Sequence, residues 1–241
     1  MSVSVSLFKR AIRTANVHRH KGDALTRADR YEEAREAYSE ALRQLDLALD
    51  EFARTSRAPA GPLSDETAAA KAADGLASAD YADLLGMRGG VLRRLGRLDE
   101  ALNSYRQGAA IEVQLNLTTT YNRSNAVKLA LISGDSTVAD AQDELLSLRN
   151  SIEATLNNDE LAAQSAWMWA DLGDTYLLIG DHHAAIKAYH EFTAKARTDS
   201  PVTTLSVLRE IVAGLHKSGD PAAGRVARDL ARVEQSLGDS S

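Results

Sequence analysis

Apolar positions in this chain recur three and four residues apart, and polar turns interrupt them at intervals. Trp169, Leu172 and Tyr176 share one face of a predicted helix, and Ala185 and Tyr189 share a face of the next. Similar amphipathic runs cover most of the 241 residues. Runs of strand type, rich in Val, Ile and Tyr, are missing, whereas the helix formers Ala, Leu, Glu and Arg are common. The pattern predicts an all-α chain. Its helices fall in pairs near 5–54, 81–115, 119–158, 165–199 and 202–238, within a single domain over 1–241.

Three segments repeat one spacing. Gly22, Gly89 and Gly173 are each followed 12 residues later by an alanine: Ala34, Ala101 and Ala185. A tyrosine comes four residues after each alanine: Tyr38, Tyr105 and Tyr189. Ala41, Gly108 and Phe192 stand three further on. The glycine lets two helices approach closely, and the tyrosine packs across the pair. Gly96 and Gly180 suit the left-handed turn that ends the first helix, and Asp29 tolerates that turn better than most residues. Two further pairs are less regular. In one, Gly134 ends the first helix; in the other, Gly219 does so and Asp220 is placed as N-cap ahead of Pro221. One helix pair cannot bury its apolar face alone, so the pairs must stack.

This pattern resembles the tetratricopeptide repeat. Trp169, Leu172, Gly173, Tyr176, Ala185 and Tyr189 carry nearly the whole signature. The second copy departs from it at Arg88 and Gly108, where leucine and alanine are usual, and the first has His18 in the tryptophan place. The resemblance implies a right-handed superhelical solenoid of about five antiparallel helix pairs, with a concave groove lined by the first helix of each pair. It places Asn16, Arg19, Asp23, Asp83, Gly86, Gly90, Arg93, Tyr121, Ser124, Asn125 and Lys128 on that groove. In the later pairs it adds Trp167, Ala170, Asp171, Asp174, Ser206, Arg209 and Ala213.

These groove positions have a chemical character. Gly86, Gly90, Ala170 and Ala213 leave space. Arg93, Lys128 and Arg209 supply positive donors, and Tyr121 and Asn125 add neutral hydrogen bonds. Trp167 offers either a flat wall to a ligand or packing to the neighbouring pair. Asp171 and Asp174 favour a cationic group nearby. The partner-binding expectation therefore rests on Arg19, Arg93, Tyr121, Asn125, Lys128, Trp167, Asp171, Asp174 and Arg209. The lysine–asparagine carboxylate clamp of chaperone-binding relatives is not matched, since Asp23 and Met87 stand at two of its places.

Composition removes several alternatives. With no cysteine in the sequence, disulfides, cysteine–zinc sites and thiol nucleophiles are excluded. A net charge of −6 argues against a protein that coats nucleic acid. The locally basic start, with Lys9, Arg10, Arg13 and Arg19, reads foremost as the polar face of a capping repeat. No apolar run reaches the ~20 residues of a membrane span, and the first residues do not form a secretory signal, so a cytoplasmic location is expected. Phosphate loops, dinucleotide fingerprints, zincin motifs and nucleophile elbows are all missing. His18 and His20 point to different faces, and His182 and His183 have no third ligand spaced to join them. Neither a cofactor nor a metal is expected, and no catalytic residue is named. Stretch 55–80 reads as an insertion, a Pro/Gly-rich loop running into helix, and the last residues as a frayed tail. The expected function is a non-enzymatic scaffold, adaptor or regulatory subunit that holds a protein or peptide in its groove. The alternative is a sensor of a small ligand or signalling peptide that regulates a separate effector. The Arg- and Ala-rich composition is of bacterial type. Oligomeric state is left open.

Overall fold

In a computed structural model, residues 3–56, 67–196 and 200–238 are described, with side chains for 10–54, 79–196 and 204–238. Much of the 55–80 insertion, the Lys9 side chain and the tail beyond Gly238 lie outside the described residues. Among the described residues the regular structure is entirely helical, and the helices pack in adjacent pairs. The chain divides into two compact units, Met1–Arg123 and Ser124–Ser241.

Unit 1 contains α1 (Val3–Arg27), α2 (Tyr31–Ser56), α3 (Thr67–Arg94) and α4 (Leu98–Gln114), and the first turn of α5 (Tyr121–Ser133). Helix α1 pairs with α2 and α3 with α4, while α2 also packs on α3. The glycine–tyrosine spacing explains how the pairs close. A Cβ on Gly89 would stand 2.8 Å from the Tyr105 ring, and one on Gly22 would collide with the Tyr38 ring. The turns follow the sequence as well: Asp29 takes φ 57° and Gly96 φ 74°.

The departures from the repeat pattern have local causes. Arg88 donates to the Asp46 carboxylate at 2.8 Å, so an ion pair between α3 and α2 stands where leucine is usual. Gly108 makes room for Asn122, whose amide donates to the Ala82 carbonyl at 3.0 Å and to Glu112 at 2.8 Å. Buried Glu112 also accepts the backbone N–H groups of Asn122 and Arg123, at 2.8 and 3.1 Å. It therefore caps the start of α5 from the neighbouring helix.

Unit 2 holds the rest of α5 and α6 (Gln142–Asn158), α7 (Glu160–Gln164), α8 (Ala166–Ile179), α9 (His182–Lys195), α10 (Ser200–Ser218) and α11 (Ala223–Gly238). The tightest pair is α8 with α9. Helix α6 packs on α8, and α11 packs on α9 and α10. The stretch 156–164, irregular by sequence, contains the five-residue α7, whose first N–H groups are capped by Asp159. Its apolar core includes Leu131, Leu145, Leu177, Tyr189, Phe192, Leu208, Ile211 and Val226. Each such side chain contributes about 1.5–3 kcal/mol on burial. Gly180 ends α8 at φ 106°, and Arg225 donates to the Leu177 and Leu178 carbonyls left open there. Helix α11 starts at Ala223, two residues after Pro221, and Asp220 closes the turn ahead of it: one carboxylate oxygen accepts the Ala222 N–H at 2.7 Å. The other takes the Val138 N–H at 2.7 Å, tying the α5–α6 turn to the start of α11.

Candidate functional site

In unit 1, residues from α1, α3 and α5 surround a cleft of about 380 Å³, lined by Asn16, Arg19, Asp83, Met87, Gly90, Arg94 and Tyr121. Five of these, Asn16, Arg19, Asp83, Gly90 and Tyr121, are positions that the repeat pattern assigns to the groove. Arg94, not the expected Arg93, is the arginine of α3 that lines it. Its Nε donates to Asp23 at 2.7 Å and its Nη1 to the Gly90 carbonyl at 3.0 Å. Arg94 lies one helical turn beyond Gly90, a relation the spacing contains and the sequence reading did not use.

Asp23 anchors the cationic wall of this cleft. Tyr38 donates to it at 2.8 Å, and Arg19 stands 3.9 Å away. Burial works against the charge on Asp23, yet Arg94, Tyr38 and Arg19 together hold its carboxyl below the usual range. Arg19 is loosely held, with Asn16 Oδ1 at 3.5 Å and His20 Nε2 at 3.2 Å as its other neighbours. Tyr121 is 45 % exposed and packs edge-on against Tyr105, with ring centroids 6.1 Å apart. The space expected at Gly86 is taken by this same Tyr121 ring, 2.8 Å from where a Cβ would be.

Unit 2 treats its expected groove residues differently. Lys128 was expected to offer a donor to a ligand, and Asp171 and Asp174 to select a cation. These three meet one another instead. Lys128 Nζ lies 2.7 Å from Asp171 Oδ1 and also contacts Asp174, with only 11 % of its side chain exposed. Ser124 donates to Asp171 at 3.1 Å, and Tyr189 donates to Asp174. Burial opposes the charge on Lys128, but the two carboxylates outweigh it and raise its pKa, so it stays protonated. Asp174 is shifted up, foremost by burial. Asn125 sits half-buried nearby in sequence on α5.

The remaining expected residues are dispersed. Trp167 is 56 % exposed, its ring resting on Phe192 with centroids 5.8 Å apart. Trp169 is partly buried in the core as its spacing predicts, and its indole N–H donates to the Ala163 carbonyl at 3.0 Å. Arg209 is bound by Glu234 of α11, at 2.7 and 2.9 Å. Ala170, expected to leave space, is a core residue. His182 and His183 stack with ring centroids 4.1 Å apart, and His182 Nδ1 stands 3.8 Å from Asp229. Among the described residues, no group of three or more acidic or histidine side chains could hold a metal, and no helix is long and apolar enough to cross a membrane.

One relation between the repeats was missed by the sequence reading. In two of them the tyrosine hydroxyl donates to the aspartate that follows the signature glycine: Tyr38 to Asp23, and Tyr189 to Asp174. A basic side chain faces each aspartate, Arg94 in one case and Lys128 in the other. The second repeat has Gly90 at this place. There the hydroxyl of Tyr105 bonds to that of Tyr121, and burial together with Tyr121 keeps the Tyr105 phenol protonated.

No curated protein sequence matches the chain. A family model described as tetratricopeptide repeat matches residues 168–192. That match covers the α8–α9 pair, where a Cβ on Gly173 would stand 2.8 Å from the Tyr189 ring. Such repeats are units of protein–protein interaction modules, and this chain is a tetratricopeptide-repeat-containing protein.

Proposed function

We propose that the chain is a non-enzymatic interaction module that holds a peptide segment of a partner protein in the cleft of unit 1. The carrying observation is that Asn16, Arg19, Asp83, Gly90 and Tyr121 converge on one cleft from three helices. Its volume lies at the lower end of the range for ligand pockets, enough for one or two side chains of an extended segment. Its chemistry suits a peptide. Arginine donors and an asparagine amide meet backbone carbonyls or carboxylates, Asp83 accepts N–H groups, and Met87 and the Tyr121 ring offer apolar surface. The unit 2 residues support the reading less, because Lys128 and Arg209 already serve carboxylates of the chain itself.

The test is selection of a random displayed peptide library on the native protein and on an Asn16→Trp/Met87→Trp variant that fills the cleft. Circular dichroism first establishes equal helicity. Peptides enriched by the native protein and lost with the variant support the cleft. Equal enrichment by both proteins, or none by the native protein, removes it.

A further inference from the structure

We propose that unit 2 self-associates: Leu161 of one copy seats in a notch between α8 and α9 of a second copy, and Glu160 meets Lys187 there. The notch has a volume of about 450 Å³. Trp169, Leu172 and Tyr176 of α8 and Ala184 and Ala188 of α9 line it, so its walls are mostly apolar. Most polar groups around it are already engaged within the chain. Lys195 pairs with Glu191 and lies over the Trp169 ring, 5.4 Å from its centroid. Tyr176 donates to Glu153 of α6, and His190 Nε2 bonds to the Ser236 hydroxyl of α11. Lys187 on the rim is different: it is exposed and, among the described residues, meets no carboxylate.

The same unit presents the matching group. Leu161 is 84 % exposed, the most of any large apolar side chain among the described residues. Asp159 accepts the Leu161 and Ala162 N–H groups, so Leu161 stands on a capped turn. The inner side of α7 is fixed to the notch: Trp169 donates to the Ala163 carbonyl, and both residues pack on the Leu172 cluster. Leu161, two residues from Ala163, projects from the other side of α7 at the Trp169 end of the notch. Glu160 beside it is exposed and meets no cation among the described residues. A single exposed leucine is ordinary. One flanked by an unengaged acid, next to an apolar notch rimmed by an unengaged lysine, is self-complementary in both shape and charge. Because knob and notch are neighbours in one unit, a two-fold axis between two copies makes both contacts at once and closes the assembly as a dimer. So small an interface makes a weak dimer, in the micromolar range or above.

Sedimentation velocity on the full chain, from low to several hundred micromolar, should show the mass rise toward that of two chains. On the ¹⁵N-labelled chain the Trp169 indole N–H resonance should move over the same concentrations, while that of Trp167, on another face of α8, stays. Leu161→Ser removes only an exposed side chain and should weaken association at least about ten-fold with an unchanged melting temperature. Ala184→Trp narrows the notch and should do the same. Should that variant fold poorly, charge exchange decides. Glu160→Lys and Lys187→Glu should each weaken association several-fold at low salt, and the double variant should recover it. A native chain that stays monomeric throughout overturns the proposal and leaves the notch to another protein or to solvent. A dimer that leaves Trp169 unmoved, that survives Leu161→Ser, or that the double variant fails to restore overturns it equally.

Discussion

Gly108 shows at the scale of one residue how a repeat pattern can mislead. Alanine is usual there and gains roughly 1 kcal/mol over glycine inside a helix. In this chain a Cβ at 108 would meet the Asn122 amide nitrogen at 2.6 Å, and that amide is committed to Ala82 and Glu112. Gly108→Ala should therefore lower stability by about 2 kcal/mol in urea denaturation, since overpacking and broken buried hydrogen bonds exceed the gain in propensity. Gly224→Ala is the control: its Cβ meets only Arg228, at 3.5 Å, and the change should be neutral or stabilising by up to about 1 kcal/mol. If Gly108→Ala proves as benign as the control, the Asn122 account is wrong. Lys128 gives the second prediction at this scale. Lys128→Met leaves the carboxylates of Asp171 and Asp174 without their cation and should cost about 3–5 kcal/mol at pH 7.5. A loss under about 1 kcal/mol would mean that the network is solvated in solution. The glycine–tyrosine contacts were legible in the sequence because their spacing is fixed within one helix pair. The Lys128–Asp171 pair was not, because its members lie 43 residues apart and only packing joins them.

Among the elements, α5 and α10 depend on one close approach that no motif announced. A Cβ on Gly214 would stand 2.6 Å from the carbonyl oxygens of both Leu131 and Ile132, and 2.7 Å from the Ile132 Cα. Backbone of a packed helix cannot yield as a side-chain tip does. Gly214→Ala should push α10 off α5 and cost about 3 kcal/mol or more, despite the better helix propensity of alanine. Thermal unfolding measures it, and an unchanged melting temperature would show that the helices slide apart freely. Helix boundaries were more legible than helix partners. Asp29, Gly96 and Gly180 announced three turns because positive φ restricts residue choice, and Asp220 announced the turn ahead of α11. The start of α5 is capped by Glu112 from another helix, and no local signal near Tyr121 encodes that. The cleft was legible to the same degree: the groove places in α1, α3 and α5 were found from the repeat pattern. Which neighbouring arginine lines it, and that Tyr121 fills the space over Gly86, depended on packing.

At the scale of the whole molecule, some carboxyl groups are shifted up and others down, and this shapes stability against pH. Burial raises Glu112 in unit 1 and Asp174 in unit 2 above their ordinary 4.5 and 3.8. The folded chain takes up these protons at a pH where the unfolded chain has already lost them, so stability rises as pH falls through the folded values. Glu40 is held down to about 2, first by its hydrogen bonds to Arg43 and then by Gln44. Asp23 is also lowered, burial being outweighed by Arg94 and Tyr38. Their contributions are present above the ordinary carboxylate values and are lost as pH falls through the folded ones. Glu40 is surface-exposed, so its share is small. The denaturation midpoint should therefore rise as pH falls from 7.5 toward 4.5, then decline between 4.5 and 2. Glu112→Gln cannot take up the proton and should show a shallower rise, with the acid decline unchanged. A midpoint that falls steadily from pH 7.5 downward would mean that Glu112 and Asp174 titrate as exposed groups, and that the buried cap of α5 and the Lys128 network both open in solution.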